Sequence, residues 1–234
     1  MAVDGEIEIR AGTMLDIPQV QSIFNYYVTT SVMTFQINPV EPMYFFAKLD
    51  EAKTLGLPYL VAIKLSHNDQ YNGERKATGE ELEKVLGYTY ASGFRNFKEG
   101  YKHTVEITIF IHPDFQSQGI GSRLLVALLD ALHHVSIQAD SFRPRVKEVV
   151  ACMAIDTETK DGKRGEGLRE WYEKRGFREV GRMTNVGWKF GRWLGVVFLQ
   201  LSLRNGEEMR GLGVEAGEEI LSRQVLGNQQ LSLE

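Results

Sequence analysis

Residues Thr104 to His134 read T-V-E-I-T-I-F-I-H-P-D-F-Q-S-Q-G-I-G-S-R-L-L-V-A-L-L-D-A-L-H-H, and the period changes halfway. Val105, Ile107, Ile109 and Ile111 alternate with Glu106, Thr108 and Phe110, the two-residue period of a β-strand. His112-Pro113-Asp114 stops that strand. From Gly119 onward, Ile120, Leu124, Leu125, Leu128, Leu129 and Leu132 line one face of a helix of about four turns. Between the two lies Gln116-Ser117-Gln118-Gly119-Ile120-Gly121. A helix start offers unpaired N–H groups and a positive dipole end, so it attracts anions. Glycine there lets a phosphate approach the backbone where a Cβ would block it. The stretch therefore reads as strand, pyrophosphate cradle and helix, unless the glycines serve only close strand-to-helix packing.

No Gly-Lys-Ser/Thr follows, which sets the loop apart from the Walker pattern. It holds two glycines in place of the three of a dinucleotide fingerprint. Gln116-x-x-Gly119-x-Gly121 after this strand end resembles motif A of the GNAT acyltransferases, whose loop holds the pyrophosphate of acetyl-CoA. The likeness extends to the phosphinothricin and methionine sulfone/sulfoximine N-acetyltransferase branch. It is carried by Phe94-Arg95, Gly100-Tyr101, Thr104-Val105-Glu106, Tyr172-Glu173-Lys174-Arg175-Gly176-Phe177 and Gly187-x-Lys189-Phe190-Gly191-Arg192-Trp193, in order over roughly Ile7 to Leu203.

Composition bounds the class. The chain has 234 residues, 43% hydrophobic and 25% charged, which suits one globular domain with insertions. A net charge of −4 offers no electrostatic footing for nucleic acid. There is no apolar run of roughly 18 residues to span a membrane, and the first residues lack the pattern of a signal peptide. A single cysteine, Cys152, excludes an internal disulfide and fits a reducing, cytoplasmic setting. In an apolar stretch without a nearby histidine, it reads as an inert core thiol.

Taken in order, Glu6 to Arg10 alternates as a first strand. Asp16 is placed to cap a helix with Pro18 in its first turn and Ile17, Val20, Ile23, Phe24 and Tyr27 as its buried stripe. Pro42 opens a second helix ending near Gly56. Tyr59 to Ile63 and Val85 to Phe94 read as strands on either side of a polar insertion over 66–84. Val146 to Ile155 is a buried strand, followed by a second insertion over 156–167. A helix from Leu168 to Arg175 is stopped by Gly176. Phe177 to Met183 and Val196 to Leu203 close the sheet. The expected domain covers 1–204, and 205–234 is an extension, flexible or holding a short helix near Val214 to Val225. The order β-α-α-β-β-β-α-β-α-β-β predicts an α/β fold. The resemblance makes it a GNAT fold, with a mixed central sheet flanked by helices as a three-layer α/β/α sandwich.

The resemblance implies transfer of acetyl from acetyl-CoA, with no metal, to a small amine. The acceptor would be the α-amine of a small L-amino acid or analogue of the phosphinothricin, methionine sulfone or methionine sulfoximine type. Transfer would be direct, in a ternary complex within a homodimer. Cofactor binding then falls to Ile109, Phe110, Ile111, Gln116, Ser117, Gln118, Gly119, Ile120, Gly121 and Ser122. Glu106, a carboxylate in an apolar strand, would be the general base if burial raises its pKa; otherwise it is a solvated or ion-paired edge residue. Tyr172 would donate a proton to the leaving thiolate, or else pack with Trp171 against the sheet. Phe35, Arg95, Asn96, Phe97, Glu106 and Thr108 would shape the acceptor site. Arg95 would bind a carboxylate bidentately, or else make a surface salt bridge. The aromatic residues around Lys189 would wall the pocket or meet a second copy.

Two departures stand out. The family's CoA-binding asparagine before the Tyr172 helix is missing from Lys163-Arg164-Gly165-Glu166-Gly167-Leu168, where Lys163 or Arg164 could take its place. Gly195 stands where related sequences tend to have aspartate. Two other readings stay open: acetylation of a polyamine, arylamine or protein N-terminus, and a CoA-binding module without catalysis.

Overall fold

The computed structural model describes residues 7–64, 83–95, 98–137, 146–156 and 165–203. Most of the 66–84 insertion lies outside the described residues, as do Asn96, Phe97, Lys163, Arg164 and the extension with its expected helix. The elements are β1 (Ile7–Ala11), α1 (Ile17–Thr30), α2 (Pro42–Leu55), β2 (Tyr59–Lys64), β3 (Lys84–Gly93), β4 (Thr104–Ile111), α3 (Ile120–Ile137), β5 (Glu148–Ile155), α4 (Glu166–Glu173), β6 (Arg178–Lys189) and β7 (Arg192–Ser202). This is the expected order. The strands form one sheet, β1-β2-β3-β4-β5-β7-β6. Of its neighbouring pairs, the central β4–β5 pair alone is parallel.

Strand alternation sorts the side chains to two faces. On one, Leu124, Leu125, Leu128, Leu129 and Leu132 of α3 join Leu60, Leu86, Ile107, Val149 and Leu199 in one buried cluster. Each such leucine contributes about 1.5–3 kcal/mol by leaving water. On the other face, Val20, Phe24 and Tyr27 of α1 and Phe45 and Leu49 of α2 cluster with Tyr59, Val61, Tyr88 and Tyr90. The result is the three-layer arrangement. Among the described residues no helix is long and apolar enough to cross a membrane.

Several boundaries differ from the sequence reading. The strand expected over Phe177 to Met183 continues to Lys189, and β7 begins at Arg192 instead of Val196. Gly181, Asn185 and Gly187 break the alternation, and the register shifts between Met183 and Gly187, so periodicity underestimates this hairpin. Its turn is made by Phe190 (φ 51°) and Gly191 (φ 76°), the left-handed pair that matches strand twist. The helix after the second insertion begins at Glu166, not Leu168, and ends at Glu173; Gly176 (φ 87°) follows as a stop.

Asp16 is a further correction. It makes no side-chain cap on α1. A short 3-10 turn, Met14–Asp16, aims its carboxylate back toward β1. There it accepts two Arg10 hydrogen bonds of 2.8 Å, the Thr13 N–H at 2.7 Å and the Thr13 hydroxyl at 2.9 Å. Burial acts to raise its pKa, but the Arg10 and Thr13 hydrogen bonds and the Arg10 charge outweigh it and hold the carboxyl below its ordinary value. A depressed folded pKa stabilises above the unfolded value, near 3.9, and that stabilisation is lost as pH falls through the folded one. Asp16→Asn is therefore expected to lose about 1.5–3 kcal/mol at pH 7 in urea unfolding, with the difference from wild type shrinking below about pH 4. Equal stability at pH 7 would remove the argument.

Candidate active site

The central pair parts midway. β4 and β5 are in register from Thr104↔Glu148 to Ile107↔Ala151 and no further. β5 stays with β7 through Ile155↔Gly195, while β4 stays with β3 through Ile111↔Gly87. The backbone of Thr108 to Ile111 therefore faces a gap on its β5 side. An extended, amide-bearing arm can pair there as an added strand would. A cavity of about 260 Å³ opens at the gap. Phe24, Met33, Phe35 and Tyr44 wall it, Glu106, Thr108 and Cys152 project into it, and Leu168 and Tyr172 reach it from α4.

At the end of β4 the chain makes a 3-10 turn, Pro113–Phe115, then the glycine loop. Ser117 (φ 60°) and Gly119 (φ 78°) are left-handed, and the Gly119 carbonyl accepts from the N–H groups of Ser122 and Arg123 at 3.1 Å to start α3. A Cβ on Gly119 would meet nothing, and one on Gly121 would stand 3.7 Å from Trp171, an ordinary contact. Packing therefore does not demand these glycines. Gly119 is needed for its backbone angle, and the space beside it is open to a phosphate, so the loop fits the diphosphate of CoA. The Gln116 side chain turns inward: its Nε2 donates to the Tyr27 hydroxyl at 2.6 Å, which donates to the Ile111 carbonyl at 2.6 Å. Tyr27 thus ties α1 to the loop, a role that its place in an apolar stripe did not reveal.

Arg175 was also missed. Its Nη2 donates to the Ser122 hydroxyl at 2.6 Å and its Nη1 to the Trp171 carbonyl at 2.8 Å, with the guanidinium 4.1 Å from the Trp171 ring centroid. Burial pushes its pKa below the ordinary value. A cation beside a helix start opposes the dipole unless an anion lies between them.

In the cleft, burial raises the Glu106 carboxyl above its ordinary value, and the Lys48 charge on α2 partly offsets the shift. Tyr172 is buried, packs edge-on to Trp171 and Phe177 at 4.8 and 5.1 Å between ring centroids, and has its pKa pushed up by burial. Such a phenol stays protonated and can donate a hydrogen bond to a thiolate.

Cys152 corrects the sequence reading. It lies on β5 two residues beyond Val150, the rung partner of Glu106, so it shares that face of the sheet and is exposed in the cleft instead of buried in the core. Surrounding atoms and then the Glu106 charge push its thiol up to about 11. Alternation alone could have flagged it, but β5 looked apolar on both faces.

Phe35 and Thr108 join Glu106 in the cleft. Arg95 does not: it sits exposed in a left-handed conformation (φ 49°) after β3, 5.7 Å from the Phe94 ring centroid. Among the described residues no cation lines the cleft. A second cavity of about 360 Å³ shares Met33, Ala154 and Leu168 with it and carries Arg192, whose Nε lies 3.1 Å from the buried Asp156 carboxylate. Trp188, Phe190 and Trp193 are exposed on the hairpin, the two tryptophans edge-to-face at 5.2 Å. No group of three or more His, Cys, Asp or Glu able to hold a metal occurs among the described residues.

An acetyltransferase (GNAT) domain model matches residues 78–179. The L-methionine sulfoximine/L-methionine sulfone acetyltransferase of Pseudomonas aeruginosa is 30% identical over 195 residues, 83% of this chain and 94% of that protein. The phosphinothricin N-acetyltransferase of Alcaligenes faecalis is 28% identical over 196 residues, 82% of this chain and 80% of that protein. Among solved structures, a GNAT superfamily phosphinothricin acetyltransferase from Sinorhizobium meliloti in complex with acetyl-CoA superposes with a TM-score of 0.65 at 25% identity, covering 86% of this chain and 91% of that one. A putative acetyltransferase from Salmonella typhimurium gives 0.67 at 24% identity, covering 86% and 96%, a likeness of fold.

A thiol near pKa 11 is mostly protonated at neutral pH, so alkylation of Cys152 by iodoacetamide at pH 8 is expected to run about 10²-fold slower than that of an ordinary thiol. Glu106→Gln removes the charge that raises the thiol, so the rate should increase. A rate indifferent to that substitution would mean the two groups do not share a cleft.

Proposed function

Because the chain belongs to the GNAT acetyltransferases, in the branch of the phosphinothricin and methionine sulfoximine/sulfone enzymes, we propose that this N-acetyltransferase acylates the α-amine of a small L-amino acid or analogue. The observation that carries the reading is the parting of β4 from β5 beside a carboxyl whose pKa burial raises. Acetyl-CoA, when bound, supplies an acyl group activated as a thioester. The chain's part is to hold that arm, take a proton and ease departure of the thiolate.

The open backbone of Ile109 to Ile111 pairs with the pantetheine amides, and the amides of Gln116 to Ser122 take the diphosphate, with Arg175 adding a charge. Glu106 accepts a proton from the acceptor's ammonium, directly or through a water. Its raised pKa narrows the gap to that ammonium, which favours proton transfer. The Tyr172 hydroxyl hydrogen-bonds the departing sulfur. Transfer is direct, since Cys152, with its raised pKa, is a poor acyl carrier. The domain is residues 1–204 with the extension beyond it, in a reducing, cytoplasmic setting. A homodimer through the exposed β6 edge and its tryptophan pair belongs to the same reading; sedimentation as a monomer would remove that part.

For the acceptor, the carboxylate falls to Arg95 by resemblance alone, since Arg95 lies outside the described cleft lining. A second reading is favoured by the lack of a cation among the described cleft residues: the acceptor is then an amine without a carboxylate, such as an arylamine or polyamine. The described lining is otherwise aromatic and apolar apart from Thr34, Glu106, Thr108 and Cys152.

Free-thiol release from acetyl-CoA, measured against methionine sulfone, methionine sulfoximine, phosphinothricin, ordinary L-amino acids, spermidine and an arylamine, separates the two. Turnover on amino acids that falls by about 10²-fold or more in Glu106→Gln supports the first reading and the base. The acid limb of kcat/KM should lie above the ordinary carboxylate value and vanish in the variant. Turnover confined to spermidine or the arylamine supports the second, and silence with acetyl-CoA bound removes catalysis. With acetyl-CoA as donor, Arg175→Gln should raise KM by about tenfold, the scale of one charged hydrogen bond. With acetyl-pantetheine, which lacks the diphosphate, it should change little; equal effects would make Arg175 structural.

A further inference from the structure

We propose that Gly187 and Lys189 of the β6–β7 hairpin are positioning residues that set acceptor affinity by seating Phe35 in the cleft. The inference rests on the reading of that cleft as the acyl-acceptor site. Three consecutive residues of the segment joining α1 to α2, Met33, Thr34 and Phe35, line the cleft. Within the segment the hydrogen bonds are local turns, from the Met33 N–H to the Ser31 hydroxyl and from the Gln36 N–H to the Thr34 hydroxyl. Its far end is held to α1, where Gln21 and Asn25 bond the backbone of Val40. Its middle is held by the hairpin.

Two contacts do the holding. A Cβ built on Gly187 would lie 2.0 Å from Cε1, 2.3 Å from Cδ1 and 3.1 Å from Cζ of Phe35. The phenyl ring therefore lies directly on the glycine backbone. Gly187 is not in the left-handed region, so its backbone would accept alanine, and the ring of Phe35 is what excludes it. Two residues on, Lys189 is buried, 3% exposed, and its Nζ donates to the Thr34 carbonyl at 2.9 Å, with the Phe190 ring centroid 5.0 Å away. Burial lowers its pKa. An ammonium is costly to bury, and a methionine would fill the same space without that cost. What lysine adds is the tie to Thr34. The register shift between Met183 and Gly187 advances the strand so that Gly187 and Lys189 meet the segment together. A wall that moves by about 1 Å can cost up to 10²-fold in turnover, so the seat of Phe35 bears directly on acceptor binding.

The test measures KM separately for acetyl-CoA and for L-methionine sulfone in wild type, Gly187→Ala, Phe35→Ala and the double variant. Gly187→Ala is expected to raise the acceptor KM by about tenfold or more while acetyl-CoA KM stays within about twofold. The double variant should match Phe35→Ala alone, because the displaced ring is gone. An unchanged acceptor KM in Gly187→Ala, or losses that add in the double variant, would overturn the proposal. Lys189→Met supplies an arm that needs no acceptor and no alanine at 187: hydrogen exchange of the Met33 to Gln36 amides should quicken by about tenfold or more. Unchanged exchange overturns the proposal as well. Silence of wild type on every amine would instead defeat the acetyl-transfer reading, with the exchange measurement still reporting on the fastening.

Discussion

The site depends on one strand keeping its partner. β5 holds eight rungs with β7, from Glu148↔Ser202 to Ile155↔Gly195, but four with β4. A strand with one antiparallel neighbour along its whole length follows that neighbour's twist, and the parallel neighbour on its other side is left behind. The gap between β4 and β5 follows from this, and it opens inside a sheet whose two faces are both covered. Backbone that would elsewhere be costly to leave unpaired is here left open to pairing. Glu106 stands at the last paired rungs, the glycine loop at the far end of the same strand, and Tyr172 behind the gap.

The same enclosure explains the electrostatics. Burial disfavours charge unless something specific compensates. Asp16 and Glu106 are carboxyls in one chain with opposite outcomes: Arg10 and Thr13 hold the first down, while nothing near the second does more than partly offset burial. Cys152 and Tyr172 are both raised by burial in the same cleft. A cleft that favours neutral forms suits a base that must give up its charge and a thioester that must be kept from water.

Much of this was legible in the sequence where the cause is local. The change of period between Ile111 and Ile120 marks the strand and the helix, and the left-handed angle at Gly119 is why a glycine stands there. Resemblance carried Glu106 and Tyr172, which the fold brings to one cleft. Legibility failed where periodicity was interrupted or ambiguous. Periodicity gives the bulged β6 only half its length, and it places Cys152 in the core because the residues around it are apolar on both faces of the strand.

What the sequence by itself determined is the set of elements, their order, and the glycine loop at the start of α3, because each rests on residues within a turn or two of one another. What only the tertiary structure decided is which side chains meet. Lys189 reaches Thr34 across 155 residues, Tyr27 receives Gln116 across 89, and Arg175 reaches Ser122 across 53. The first depends on β6 lying at the sheet edge beside β7 and on its register there; the other two depend on how α1, α3 and α4 pack on the sheet. No local pattern encodes them, because a shift of one residue turns every side chain of a strand to the other face.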